Sequence, residues 1–233
     1  MKKIFRTLLG LSLLLISTRP LFGQSVSIAD GTSTPEIVVH VHDYVQMSQE
    51  TLMRAEEVTS GILREAGVEV VWVNCNFGII AEQREPGCAG QPTTVGLVMN
   101  LIDQIQPLSP NLREIDMGVA VVPSGGRNGD VAYLSIHQAT SIARQCSVSL
   151  ETLLGLGAAH ELGHLLLGEN AHTPSGLMKA RWSPRELELG SHGKLLFTAA
   201  QSDHIRRNIL ARQKEVSTSV VATKVGVDAG FGL

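Results

Sequence analysis

Apolar positions recur along this chain in two rhythms, and their alternation sets out its elements. Residues 36–41, Glu-Ile-Val-Val-His-Val, have the β-branched density of a strand. Leu52, Ala55, Val58, Ile62 and Leu63 then fall at helical spacing. Ser48 stands where an N-cap belongs, Gln49 and Glu50 occupy the first turn, and Gly67 follows as a stop. Residues 68–73 are strand-like again. Strand, helix and strand in that order predict a β-α-β unit with parallel strands and a right-handed crossover.

Residues 76–92 read as an irregular loop. Residues 95–102 read as a third strand, with a helical start near Leu101 as the other reading. Residues 117–122 make a fourth strand, ended by Pro123-Ser124-Gly125-Gly126. Residues 130–137 alternate and read as a fifth strand, at a sheet edge. The strongest helical pattern covers 149–167, with Ser149 as N-cap, Glu151 in the first turn and Gly168 as terminator. A further helix is expected from about 199 to 213, opened by a Thr198–Gln201 capping box and striped by Ile205, Ile209 and Leu210. Neither an internal repeat nor a second composition regime interrupts residues 36–213, so they read as one α+β domain. Residues 214–233, with scattered Gly and Ser, read as a loosely ordered tail.

The N-terminal pattern is of another kind. Lys2, Lys3 and Arg6 precede an apolar stretch, Leu8 to Ile16, and Gly23 precedes Gln24. That is the order of a signal peptide over residues 1–23, with 24–35 a flexible lead-in. The stretch is short of the roughly 20 residues a spanning helix needs, which weakens the alternative of a membrane anchor. The expected mature chain is therefore exported, to a periplasm or beyond the cell. Only about a dozen residues separate the expected cleavage point from the first strand, which argues against a latency propeptide.

Loss of Lys2, Lys3, Arg6 and Arg19 from a chain with 19 Lys and Arg against 22 Asp and Glu leaves 15 against 22, a net charge of −7. An acidic chain with 4% aromatics and no basic run suits neither nucleic acid nor an anionic membrane. The three cysteines are Cys75, Cys88 and Cys146. Export permits a disulfide, and Cys75 with Cys88 would close a short loop of turn formers; the alternative is that all three are unpaired.

The chemistry concentrates at His160-Glu161-Leu162-Gly163-His164. Two histidines four apart on a helix share a face and can grip one cation, for which zinc is the fitting choice. Glu161 adjoins the first histidine and can reach a metal-bound water as general base. The bland reading of the pair is two ordinary helix histidines. His40 and His42 alternate on a strand and read as half-buried residues, and Tyr133 reads as packing. His137, His192 and His204 lack partners at ligand spacing.

Downstream the chain reads Gly168-Glu169-Asn170-Ala171-His172-Thr173-Pro174-Ser175-Gly176-Leu177-Met178. Here it resembles the metzincin zinc peptidases, and among them the matrixins. The resemblance extends loosely over residues 36–213. It implies a zincin-like α+β fold, with a twisted mixed sheet, an active-site helix and a C-terminal helix. It also implies a zinc-dependent endopeptidase acting on polypeptide. Carried over residue by residue, it makes His160, His164 and His172 the ligands, Glu161 the base, Gly168 the helix terminator and Met178 the turn methionine. By the same analogy, residues 131–135 would be the edge strand that pairs with substrate. Gly168 lies four residues and His172 eight after His164, where the family pattern has three and six. Leu167 and Asn170 stand at the family's Gly and His positions. A second zincin class takes a Glu some twenty residues downstream, so Glu186 is the alternative third ligand; otherwise Glu186 and Glu188 read as a solvated face. The remaining alternative is an exported binding or scaffold domain without turnover.

Overall fold

The computed structural model describes residues 34–75, 88, 95–105, 117–123 and 129–228. The chain divides into two compact units, residues 1–33 and 34–233, and every described residue belongs to the second. The expected signal peptide, nearly all of the lead-in and most of the 76–92 loop lie outside the described residues.

Ten elements succeed one another: β1 Glu36–Asp43, α1 Gln49–Glu65, β2 Glu69–Asn74, β3 Val95–Ile102, β4 Gly118–Val121, β5 Val131–Ser135, α2 Ile136–Cys146, α3 Leu150–Leu167, α4 Pro184–Ser191 and α5 Ala199–Asp228. The β-α-β unit is present. The Ser48 hydroxyl accepts from Thr51 N at 3.1 Å, and β2 lies parallel beside β1. The sheet runs β2-β1-β3-β5-β4, parallel throughout except for β4, which is antiparallel to β5. This is the expected α+β class, a mixed sheet with a motif-bearing helix and a C-terminal helix.

Three expectations change. β5 is not an edge, because it pairs with β3 on one side and β4 on the other; among the described residues the outer strand on that side is β4. Alternation in sequence shows that a strand has two unlike faces, and says nothing of which neighbours it acquires. Residues 136–137 belong to α2, capped by Ser135, whose hydroxyl accepts from Gln138 N at 3.2 Å. The last helix does not stop near Gln213 but runs on to Asp228. From Lys214 to Val225 the sequence holds neither Pro nor Gly, so no breaker interrupts the ladder.

The core lies between one face of the sheet and the helices. Ile37, Val39 and Val41 of β1, Leu97 and Met99 of β3, and Leu134 of β5 are buried together with Leu153, Leu156 and Leu165 of α3. Each such side chain contributes about 1.5–3 kcal/mol on burial. α1 crosses α3 at Gly155, where the Thr59 hydroxyl donates to Ala55 O at 2.9 Å and Gly155 O at 3.0 Å. A disulfide joins Cys75 to Cys88, leaving Cys146 free. Among the described residues, no helix is long and apolar enough to cross a membrane.

Candidate metal centre

α3 begins as expected, with the Ser149 hydroxyl accepting from Thr152 N at 3.1 Å and Glu151 in its first turn. Thirteen of its eighteen residues are buried, so the helix passes through the core instead of floating on it. His160 and Glu161 are carried inside with it, only 9% and 6% exposed. A buried polar group must find partners, and those partners define the site.

His160 Nδ1 lies 2.8 Å from Leu177 O. A carbonyl only accepts, so Nδ1 carries the hydrogen and Nε2 keeps its lone pair. Trp182 Nε1 donates to the same carbonyl at 3.0 Å, and its ring stands edge-on to His160 with centroids 5.5 Å apart. One turn along α3, His164 Nε2 sits 3.1 Å from His160 Nε2 and 3.1 Å from His172 Nε2. One nitrogen from each of the three rings lies within 4.8 Å of the others.

Burial lowers His160 from 6.5 to about 4, the Leu177 hydrogen bond opposing the shift and nearby His172 adding to it. Burial lowers His164 to about 3, with His160 and His172 adding to the effect. Near neutral pH both rings are therefore uncharged, the form that binds a metal. Zinc–nitrogen bonds of about 2.0–2.1 Å at tetrahedral angles place ligand nitrogens roughly 3.3 Å apart. The spacings here are close to that, and three imidazoles are a donor set zinc accepts. The residues fit the ion.

His172 arrives differently. α3 continues through Leu167 and ends at Gly168 (φ 82°), where a side chain would be strained; Asn170 also takes positive φ, 59°. These two left-handed residues turn the chain back toward the helix face. The next segment is then tied down. Thr173 N donates to Met178 O at 2.9 Å, the Thr173 hydroxyl donates to Ser175 O at 2.9 Å, and Gln201 Nε2 donates to Thr173 Oγ1 at 3.2 Å. Gln201 also closes the expected capping box of α5, with Thr198 N donating to its Oε1 at 2.9 Å. Met178 is fully buried beneath α3, and a Cβ on Gly163 would come within 2.5 Å of its sulfur.

Among the described residues, only His160, His164 and His172 converge in this way. Glu186 stands elsewhere, at the start of α4. Its carboxylate receives Lys179 Nζ at 2.7 Å and Ser183 N at 2.7 Å, together with the Ser183 hydroxyl. Those bonds, Lys179 foremost, hold Glu186 down at about 2. Of the remaining histidines, His40 Nδ1 lies 4.0 Å from Cys75 Sγ and His192 Nδ1 lies 2.8 Å from Glu188 O.

No protein-family model and no curated protein matches this sequence. Among solved structures, the chain is similar to archaemetzincin from Methanopyrus kandleri. The two are 19% identical, over 76% of this chain and 97% of that one, with a TM-score of 0.46. The chemistry of the site accordingly rests on this chain's own residues.

Two residues of the site escape sequence reasoning. Trp182 shares the carbonyl that orients His160, and no local pattern marks it. Gly118, on β4, lies against the Glu161 carboxylate. Its proximity is purely tertiary, so nothing in the flanking sequence reveals it. α4 carries a readable signal, Ser183-Pro184-Arg185-Glu186, with Pro at the first turn and a capping box.

Proposed function

We propose that the chain is an exported zinc metallopeptidase of metzincin-like, matrixin-related design, cutting extended polypeptides internally. The observation that carries this reading is the convergence of three imidazole nitrogens within 4.8 Å beside a buried carboxylate in the same helix turn. His160, His164 and His172 would hold the ion. When bound, zinc supplies a Lewis acid that brings the pKa of water toward neutrality. Glu161, next to His160 in the helix, would take a proton from the attacking water and return it to the leaving amine.

The substrate strand is assigned to β4 instead of β5. Among the described residues no strand pairs with the outer side of β4, the side on which an extended peptide would add. Gly118 at the start of β4 adjoins Glu161, which sets the base beside that edge. His172 is exposed, so the cluster is reachable from solvent. Export is supported by the basic-then-apolar opening of the chain and by the Cys75–Cys88 bond, which persists in oxidising compartments.

The test is cleavage of casein and a peptide library by the zinc-loaded protein, with Glu161→Gln and a chelator as controls. Internal cleavage that both controls abolish is the expected result. Stoichiometric zinc with no Glu161-dependent cleavage of any substrate would overturn the enzyme reading in favour of an exported zinc-binding scaffold.

A further inference from the structure

Glycines in this fold meet their neighbours in two distinct ways. At Gly129 an added Cβ would run into Val121 O, and at Gly155 it would meet Val58 Cβ at 2.5 Å and Ala55 O at 2.7 Å. These atoms are backbone, or bonded directly to it, in the sheet or in a helix, so a methyl group there must displace an element. At Gly118 the three nearest atoms all belong to one side chain: Glu161 Oε1 closest, then Cδ and Cγ, each at 2.7 Å. These separations are below any that a real Cβ tolerates, and the flexible partner is the carboxylate itself.

Gly118 is not required for backbone freedom. It lies in β4, pairs with Leu134 in regular antiparallel register, and is not among the positive-φ residues. Nor is it a close-packing point between elements in the sense of Gly155. What its missing side chain provides is the volume filled by the Glu161 carboxylate.

From this we propose that Gly118 is a positioning residue for Glu161: the bare backbone at the head of the edge strand is the seat that holds the carboxylate in place. The proposal rests on the peptidase reading for its catalytic consequence, though not for its geometry. A methyl group at position 118 must displace either the Glu161 side chain or β4 against its β4–β5 ladder, and the displacement is assigned to Glu161. The substitution should therefore show in turnover while leaving the fold and the three imidazoles in place. A misplacement near 1 Å in a catalytic group can reduce rate by about 100-fold.

Gly118→Ala is compared with the wild-type chain in three measurements: metal content and Tm, steady-state cleavage of a peptide substrate, and crystal structures of both proteins. Zinc stoichiometry should match wild type and the protein should remain folded. kcat should fall by about 100-fold with KM nearly unchanged, because substrate pairing along β4 is backbone-borne. In the crystal the Glu161 carboxylate should be displaced while β4 keeps its register. Wild-type kcat in a zinc-loaded Gly118→Ala protein would overturn the proposal. So would a structure in which Glu161 stays and β4 moves. If the wild-type chain itself cleaves nothing, the peptidase reading fails by that result alone, and the crystal comparison still decides whether Gly118 seats Glu161.

Discussion

Two of the three converging imidazoles travel on one rigid helix, and the third is delivered by a loop. His160 and His164 take their relative placement from helical geometry, and their surroundings from a helix sunk in the core. His172 takes its placement from two left-handed residues and from hydrogen bonds reaching to Met178 and Gln201. The spacing of the helix pair needs only local order to be correct. The loop needs the remainder of the fold, because its anchor Gln201 belongs to α5.

That contrast can be broken most directly by removing ligands. His160→Ala and His164→Ala should abolish stoichiometric zinc, measured by metal analysis and chelator competition. His172→Ala should weaken binding by a smaller factor, since the helix pair remains. Wild-type affinity in His172→Ala would mean that the loop contributes no ligand.

A second, smaller effect concerns the floor beneath the helix. Gly163→Ala would drive a methyl into Met178 Sδ at 2.5 Å and Phe197 Cε1 at 2.8 Å. Overpacking of this kind costs about 1–3 kcal/mol, so the thermal midpoint should drop measurably. An unchanged midpoint would mean that the methionine is free to move aside.

The loop's tether gives a third contrast. Gln201→Ala removes the bond to Thr173 and half of the α5 capping box, and should weaken zinc by about 10-fold, the low end for lost outer contacts. No change in zinc affinity would show that the loop holds its shape without α5.

A further contrast is in acid sensitivity. His160 and His164 sit at about 4 and about 3 in the fold, against an ordinary value of 6.5. Below pH 6.5 the unfolded chain therefore binds more protons than the folded one. The stability contributed by these neutral rings is complete above that pH and drains away as pH falls toward 4 and 3. In chelator-treated protein the thermal midpoint should decline over this window, and less so in His164→Ala. Identical pH profiles for the two proteins would contradict the burial of these rings.

Much of this architecture is legible in the sequence because its signals are local. Ser48 and Ser149 cap the helices their positions predict, and Thr198 with Gln201 opens α5. The spacing of His160 and His164 is a property of one helix. What is not legible depends on contacts between distant residues. The alternation of residues 130–137 runs through Ile136, which hides the point where β5 becomes α2. It also cannot tell an inner strand from an outer one, and so does not reveal that β4 lies outside β5. Gly118 leaves no trace in its own neighbourhood, because its meaning lies some forty residues away. His172 is the intermediate case. Its residue type and the glycine turn before it are visible, while the ties that bring it back to the helix are not.

The Leu177 carbonyl that orients His160 has one more implication, for inheritance. A main-chain oxygen is present whatever residue occupies position 177, so no single codon change there can delete this contact. Drift can alter Trp182, or the surface of α4, and the ring of His160 will still find its acceptor so long as the chain follows the same path. Alterations in metal preference should therefore arise first through the loop that carries His172, where two of the supporting contacts are made by the side chains of Thr173 and Gln201, and last through the helix.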